Sequence, residues 1–183
     1  MKKILVLVAA IVLGVGSTSW AQVGFVDLSK ALELTNQGKA IESQLQVRKN
    51  EAELKLKKRE VELLDLQNEI EKGKNALSPQ ALDQKKSKFN QLRKEYSDMA
   101  QEESLNFEKY KFDLLTSFIK ELQKAAEQIA KTRKITIVLL KVEDVLTQAS
   151  FVLYGDPSVD LTNDVIRILN QSSQQPKPQA PKK

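Results

Sequence analysis

The feature that most constrains this chain is a run of more than fifty residues, from Pro79 to Lys131, with no internal glycine or proline and apolar residues at helical spacing. Leu82, Phe89, Leu92, Tyr96 and Met99 follow alternating steps of three and four, the pattern of a coiled-coil seam. The seam is expected to fail at Glu103 and Asn106 and to restart in a shifted frame at Phe107, Tyr110, Leu114 and Phe118, a stutter. The segment before it, Lys39 to Lys72, carries a matching seam at Ala52, Leu56, Leu63, Leu66 and Ile70, weakened by Arg59 and Gly73. Between the two, Gly73, Asn75 and Ser78-Pro79 break the pattern. Ser78 suits an N-cap and Pro79 the first helical position, where its missing N–H costs nothing. The chain therefore reverses at 73–78, and residues 39–131 form a hairpin arm with helices roughly 50 and 80 Å long. The second helix outruns the first, so its proximal part must pack on something else.

What flanks the arm is β-like. Val23-Gly24-Phe25-Val26-Asp27 reads as a strand, followed by a short helix from Lys30 to Thr35 and a stop or kink at Asn36-Gln37-Gly38. Ile135 to Leu140 is a continuous apolar run expected to be buried on both faces, and Phe151 to Tyr154 reads as a further strand. Thr162 or Asp160 caps a short amphipathic helix bearing Val165, Ile166 and Leu169. Residues 22–38 and 132–170 thus form one small head from both ends of the chain, and the Gln-, Ser-, Pro- and Lys-rich residues 171–183 read as a disordered tail. The fold class is mainly α, with a small β head into which a long antiparallel hairpin is inserted. Residues 1–21 have the pattern of a secretory signal peptide. Lys2 and Lys3 precede an uncharged apolar run from Ile4 to Gly16, and small residues at Ser19 and Ala21 suit cleavage after Ala21. The apolar run is too short for a membrane span, and the expected location is the periplasm.

Composition narrows the function. A head of this size is marginal alone, and with no cysteine it has no disulfide to brace it. Open strand edges add a second liability. Self-association through Val23, Phe25, Val26, Ile137, Val138, Leu139, Phe151 and Leu153 is the expected remedy, of an order that these arguments leave open. With no histidine, no cysteine and no nucleophile–base pairing, nothing points to an enzyme, a metal or a cofactor. Glu102-Glu103 reads as surface charge. The net charge of +5 includes two lysines of the leader, so nucleic acid is not an expected partner. Charge is instead concentrated at the tip: Lys72, Lys74, Lys85, Lys86, Lys88, Arg93 and Lys94 face only Asp83. That patch suits an anionic membrane surface or an acidic partner, against the plainer alternative of a solvated helix end. Phe89, Tyr96 and Met99 are seam residues by spacing, with contact to a bound chain as the alternative.

Three elements carry a resemblance: Val23 to Leu28 with Gly38-Lys39, the closing set Ile137-Val138-Leu139, Val152-Leu153-Tyr154 and Asp160-Leu161-Thr162, and the Ser78-Pro79 turn in a charged hairpin. Together they resemble the Skp/OmpH family over essentially the whole chain after the leader. The resemblance departs at Lys131 to Lys134, where such proteins often carry a glycine. It implies a homotrimer with a shared β core and three projecting arms. It also implies an ATP-independent holdase chaperone for unfolded outer-membrane β-barrel precursors, with contact to anionic lipid or lipopolysaccharide at Lys85, Lys86 and Lys88. No phosphate-binding loop of the GxxxxGK[ST] type is present. The competing expectation is a structural or adaptor hairpin of the cell envelope that docks a folded partner.

Overall fold

The computed structural model describes residues 22–142 and 152–173. Strand β1 (Val23–Asp27) leads directly into helix α1 (Leu28–Leu34), because Asp27 ends the strand and caps the helix, its side chain accepting the Lys30 N–H at 3.1 Å. Helix α2 (Asn36–Gly73) and helix α3 (Pro79–Arg133) form the antiparallel hairpin. Strand β2 (Ile137–Lys141) returns beside β1, and a 3-10 turn (Pro157–Val159) precedes helix α4 (Thr162–Ser172). The strands pair in parallel, Val23 opposite Ile137 through Asp27 opposite Lys141, with the whole hairpin as their crossover. A single bridge adds Asp160 to the other edge of β1, opposite Phe25.

The break between α1 and α2 falls one residue before the expected stop at Asn36-Gln37-Gly38. Thr35 is the cap, its hydroxyl accepting the Gly38 N–H at 3.0 Å while donating to the Ala31 carbonyl at 2.7 Å. Gly38 is a helical residue, and its role is close approach. A Cβ there would lie 1.9 Å from the Leu32 carbonyl oxygen, so α1 folds back over α2 only because that position has no side chain. Asn170 of α4 holds the same corner, accepting the Asn36 N–H at 2.8 Å and donating to the Leu34 carbonyl. At the far end of α3, Lys134 adopts a left-handed conformation (φ 57°), and its N–H returns to the Ala130 carbonyl. The helix thus stops in the usual left-handed way without the glycine that normally makes it easy.

The core lies where the hairpin enters the head. Phe118, Leu122, Ala125, Ala126 and Ile129 of α3 pack with Val26, Ala31, Ile41, Leu161, Val165 and Leu169. This is the partner that the unpaired proximal part of α3 required. Asp27 ties the same region together: its N–H donates to the Thr162 hydroxyl at 2.9 Å, and its carboxylate pairs with Lys141 at 3.2 Å.

Two strand expectations change. Val152 to Tyr154 are not in a strand, Leu153 and Tyr154 stand 91% and 83% exposed, and Phe151 lies outside the described residues. The sheet has two strands among the described residues, not three. Nor is β2 covered on both faces within one chain. Val138 and Leu140 are half-buried, while Ile137 and Leu139 are 49% and 45% exposed, because α3 supplies a layer on one side only. At the C-terminus, Gln171 and Ser172 belong to α4, not to a tail, and residues 174–183 lie outside the described residues, as does the leader, 1–21.

Candidate functional site

The arm is the part of the molecule not explained by a need for a core. From Ile41 to the turn, the less exposed residues of α2 are Ile41, Leu45, Arg48, Ala52, Leu56, Arg59, Leu63, Leu66, Ile70 and Gly73. Leu82, Phe89, Leu92, Tyr96 and Met99 face them from α3, so Phe89, Tyr96 and Met99 are half-buried seam residues, available to another chain only in part. Beyond Met99 the seam does not fail as the sequence suggested. Glu103 occupies a seam position and is buried, and Phe107 follows four residues later. The same double step of four occurs on α2, at Arg48, Ala52 and Leu56. The two irregularities meet, so the helices stay packed through both.

At that level the seam is ionic. The Glu103 carboxylate accepts from Lys55 Nζ at 2.7 Å and from Arg48 Nη2 at 3.1 Å. The Lys55 hydrogen bond is the main cause holding the Glu103 carboxyl below its ordinary range, with the Lys55 and Arg48 charges adding to it and burial opposing. Glu103 is therefore not surface charge. Sequence spacing missed it because its partners lie 48 and 55 residues away. The one local signal was that Arg48 falls on the apolar stripe of α2. Further rungs are Tyr110 to Gln44 at 3.0 Å, Arg59 to Glu95 at 3.8 Å, and Lys85 to Glu69.

The outer surface of the arm carries large apolar residues among charges. Val47, Leu54 and Val61 recur every seven residues on α2 and are about half-exposed or more; Leu105 and Phe112 do the same on α3. Isolated exposed apolar side chains are ordinary; a seven-residue recurrence on both helices is a patterned surface. Where the arm meets the head, an open groove of about 580 Å³ runs between α1, α2 and α3, lined by Leu32, Ile41, Leu45, Phe107 and Leu115. A second groove of about 290 Å³ lies between the sheet and α3, lined by Val26, Leu122, Ala126, Val138 and Leu140.

The cations of the tip are brought together around the turn, but not all are free. Lys74 pairs with Glu71 at 2.8 Å, and Lys85 pairs with Glu69. Lys72, Lys86, Lys88, Arg93 and Lys94 are exposed and make no ion pair among the described residues. Of the residues expected to join subunits, Val26 is buried inside the chain. Phe25 and Val138 are half-buried, and Val23, Ile137, Leu139 and Leu153 are exposed. Among the described residues no cluster of acidic side chains suits a metal ion, and no helix is long and apolar enough to cross a membrane.

These features define a class: a long α-helical hairpin inserted into a small α/β head, with patterned apolar surface on the arm and charge at its tip. Residues 22–169 match the family described as outer membrane protein (OmpH-like), and the chain belongs to that family. A Skp-like protein of Chlamydia pneumoniae is 29% identical over 174 residues, covering 94% of this chain and 97% of that protein. The crystal structure of an OmpH-like candidate outer membrane chaperone from Caulobacter crescentus CB15 superposes with a TM-score of 0.69. It covers 87% of this chain and 89% of its own, at 18% identity, a likeness of fold.

Proposed function

We propose that this protein is a periplasmic, ATP-independent holdase that binds unfolded outer-membrane β-barrel precursors and keeps them from aggregating. The observation that carries the reading is the arm surface. Single large apolar residues at seven-residue intervals, each surrounded by charges, offer many weak contacts and no closed pocket. Such contacts hold a chain without a fixed sequence and release it without an energy source. Membership of the OmpH-like family and the likeness to a candidate outer membrane chaperone support the same reading. Residues 1–21 act as a signal peptide cleaved after Ala21. The head assembles into a homotrimer through Val23, Ile137, Leu139 and Leu153, which places three arms around a shared space. The exposed cations Lys72, Lys86, Lys88, Arg93 and Lys94 draw the tip to anionic lipid or lipopolysaccharide, or to acidic segments of the bound chain.

The test is light scattering after a urea-unfolded porin is diluted into buffer, with and without residues 22–183 and without ATP. Suppression that saturates near one oligomer per porin is expected. Full aggregation in the presence of a correctly assembled oligomer, at several salt concentrations, would discard the reading in favour of an adaptor that docks a folded partner.

A further inference from the structure

Where α3 nears the head it carries a second apolar seam, beside the one that packs on α2. Phe112, Leu115, Ile119, Leu122 and Ala126 follow steps of three and four. The sheet covers the head end of this seam, where Leu122 and Ala126 are buried next to Val138 and Leu140. Farther out the cover stops: among the described residues, Ile119 and Leu115 are half-buried and Phe112 is 68% exposed. The open part has an apolar hollow on each side. Leu115 lines the groove that it shares with Leu32, Ile41, Leu45 and Phe107, and Ile119 lines the groove that it shares with Val26 and Val138. Leu115 and Ile119 are one helical turn apart, about 6 Å along α3. The stripe on the back of α2 has no such setting. One heptad beyond Val47 toward the head it reaches Ala40, which lines a mainly polar groove with Asn36, Gln37, Ser117 and Glu121.

We propose that the ridge of Phe112, Leu115 and Ile119, with its two hollows, docks one extended segment of a non-native chain that has apolar residues at alternate positions. In such a segment the side chains of one face recur about every 6.5–7 Å. That is close to the spacing of Leu115 and Ile119, so two alternate apolar residues reach both hollows at once. The polar residues between them stay in water. Alternate apolar residues are what a membrane-barrel strand carries; the site therefore rests on the holdase reading and names the feature of the bound chain that it grips. The open seam is too short for a helix. Only Phe112, Leu115 and Ile119 are uncovered, Glu108 ends the run on the arm side, and a paired helix needs about three heptads. The ridge is also apart from the strand residues expected to join subunits. Strand alternation turns Ile137 and Leu139 to the face of the sheet opposite Val138 and Leu140, and so away from α3.

The chain from Gln22 is titrated against two short fluorescent peptides of identical composition, with affinity read by anisotropy. One alternates apolar and polar residues, and the other holds its apolar residues in a single block. The alternating peptide should bind about tenfold tighter. Phe112→Glu should weaken it about tenfold, because the docked segment would strip water from the new charge. Leu54→Glu and Val61→Glu, on the back of α2, should leave its affinity within about twofold. Circular dichroism and the mass of the oligomer are measured for every variant. Should Phe112→Glu lose its helical signal, Phe112→Ser decides by the same criterion. Equal affinity for the two peptides overturns the site, and so does an unchanged affinity in the Phe112 variant. A folded Phe112 variant that no longer assembles overturns it too, since Phe112 then belongs to a joint between subunits. A parent chain that suppresses porin aggregation yet does not bind the alternating peptide overturns the site and leaves the holdase reading standing. A parent chain that does not suppress it removes that reading, and the site with it.

Discussion

The head and root of this molecule and its distal arm are stabilised in different ways, and the contrast shows what each part is for. At the root, Phe118, Val26, Leu161 and Val165 are fully buried, contributed by elements far apart in the chain. In the distal arm, Leu66 and Leu92 are the large apolar seam residues that are buried, and the rest are half-open. A two-helix hairpin has no third layer to cover its seam, so most arm residues keep one side in water. The root behaves as a packed core, and the arm as a surface held in shape by many partial contacts.

Breaking the contrast most sharply needs two phenylalanines of the same helix, one in the packed core of the root and one on the open surface of the arm. Phe118→Ala should cost about 3–5 kcal/mol, whereas Phe112→Ala, 68% exposed, should stay within about 0.5 kcal/mol. Urea unfolding at a fixed protein concentration reads both, and equal losses would mean that Phe112 is covered in the assembled protein.

Acid sharpens it next, because each region holds depressed carboxyls: Asp27, Glu127 and Asp156 in the head and root, Glu69 and Glu103 in the arm. Burial pushes the Asp27 carboxyl up. The Lys30 backbone hydrogen bond, the Lys141 hydrogen bond and both lysine charges overcome that and hold it below its ordinary value. Glu103 is depressed through Lys55 and Arg48. A carboxyl lowered in the folded state contributes stability that is present above its unfolded value, about 4, and is lost as pH falls through the folded one. Asp27→Asn keeps a good N-cap while removing the charge, so it should flatten the fall in stability below about pH 4. Glu103→Gln should flatten the part that Glu103 adds in the arm, leaving the share of Glu69 in place. Thermal unfolding between pH 2.5 and 6 separates them, and an unchanged slope in Asp27→Asn would remove Asp27 as a contributor.

The smallest effect concerns the joint between the regions. Lys134 carries a left-handed conformation that a side chain disfavours by about 1 kcal/mol. Lys134→Gly should therefore be neutral to stabilising, by up to about 1 kcal/mol, since glycine also gains freedom in the unfolded chain. A clear loss by the same unfolding assay would mean that the Lys134 side chain supports the joint.

The hairpin was legible in the sequence because its information is local. A seam repeating every three or four residues, a Ser-Pro helix start and a long stretch without breakers each act within a turn or two, and the structure keeps Ala52, Leu56, Leu63, Leu66, Phe89 and Leu92 in the seam. The strands β1 and β2 were legible for the same reason, as short apolar runs. Glu103 was read as charge on a surface because a carboxylate in a charged helix gives no local sign of two cations about fifty residues away. Gly38 was read as a stop because glycine usually is one; only the path of α1 over it shows that it allows close approach. Leu153 and Tyr154 looked like strand because their composition is strand-like, but a strand also needs a neighbour, and none of the described residues provides it.

By itself, then, the sequence determined which segments are helices, where the chain reverses and that its two ends meet, since periodicity and capping are properties of neighbouring residues. The tertiary structure decided which charges are buried, which apolar faces stay open and which alignment the arm takes. Those depend on what lies across a contact, and a linear pattern does not state its partner.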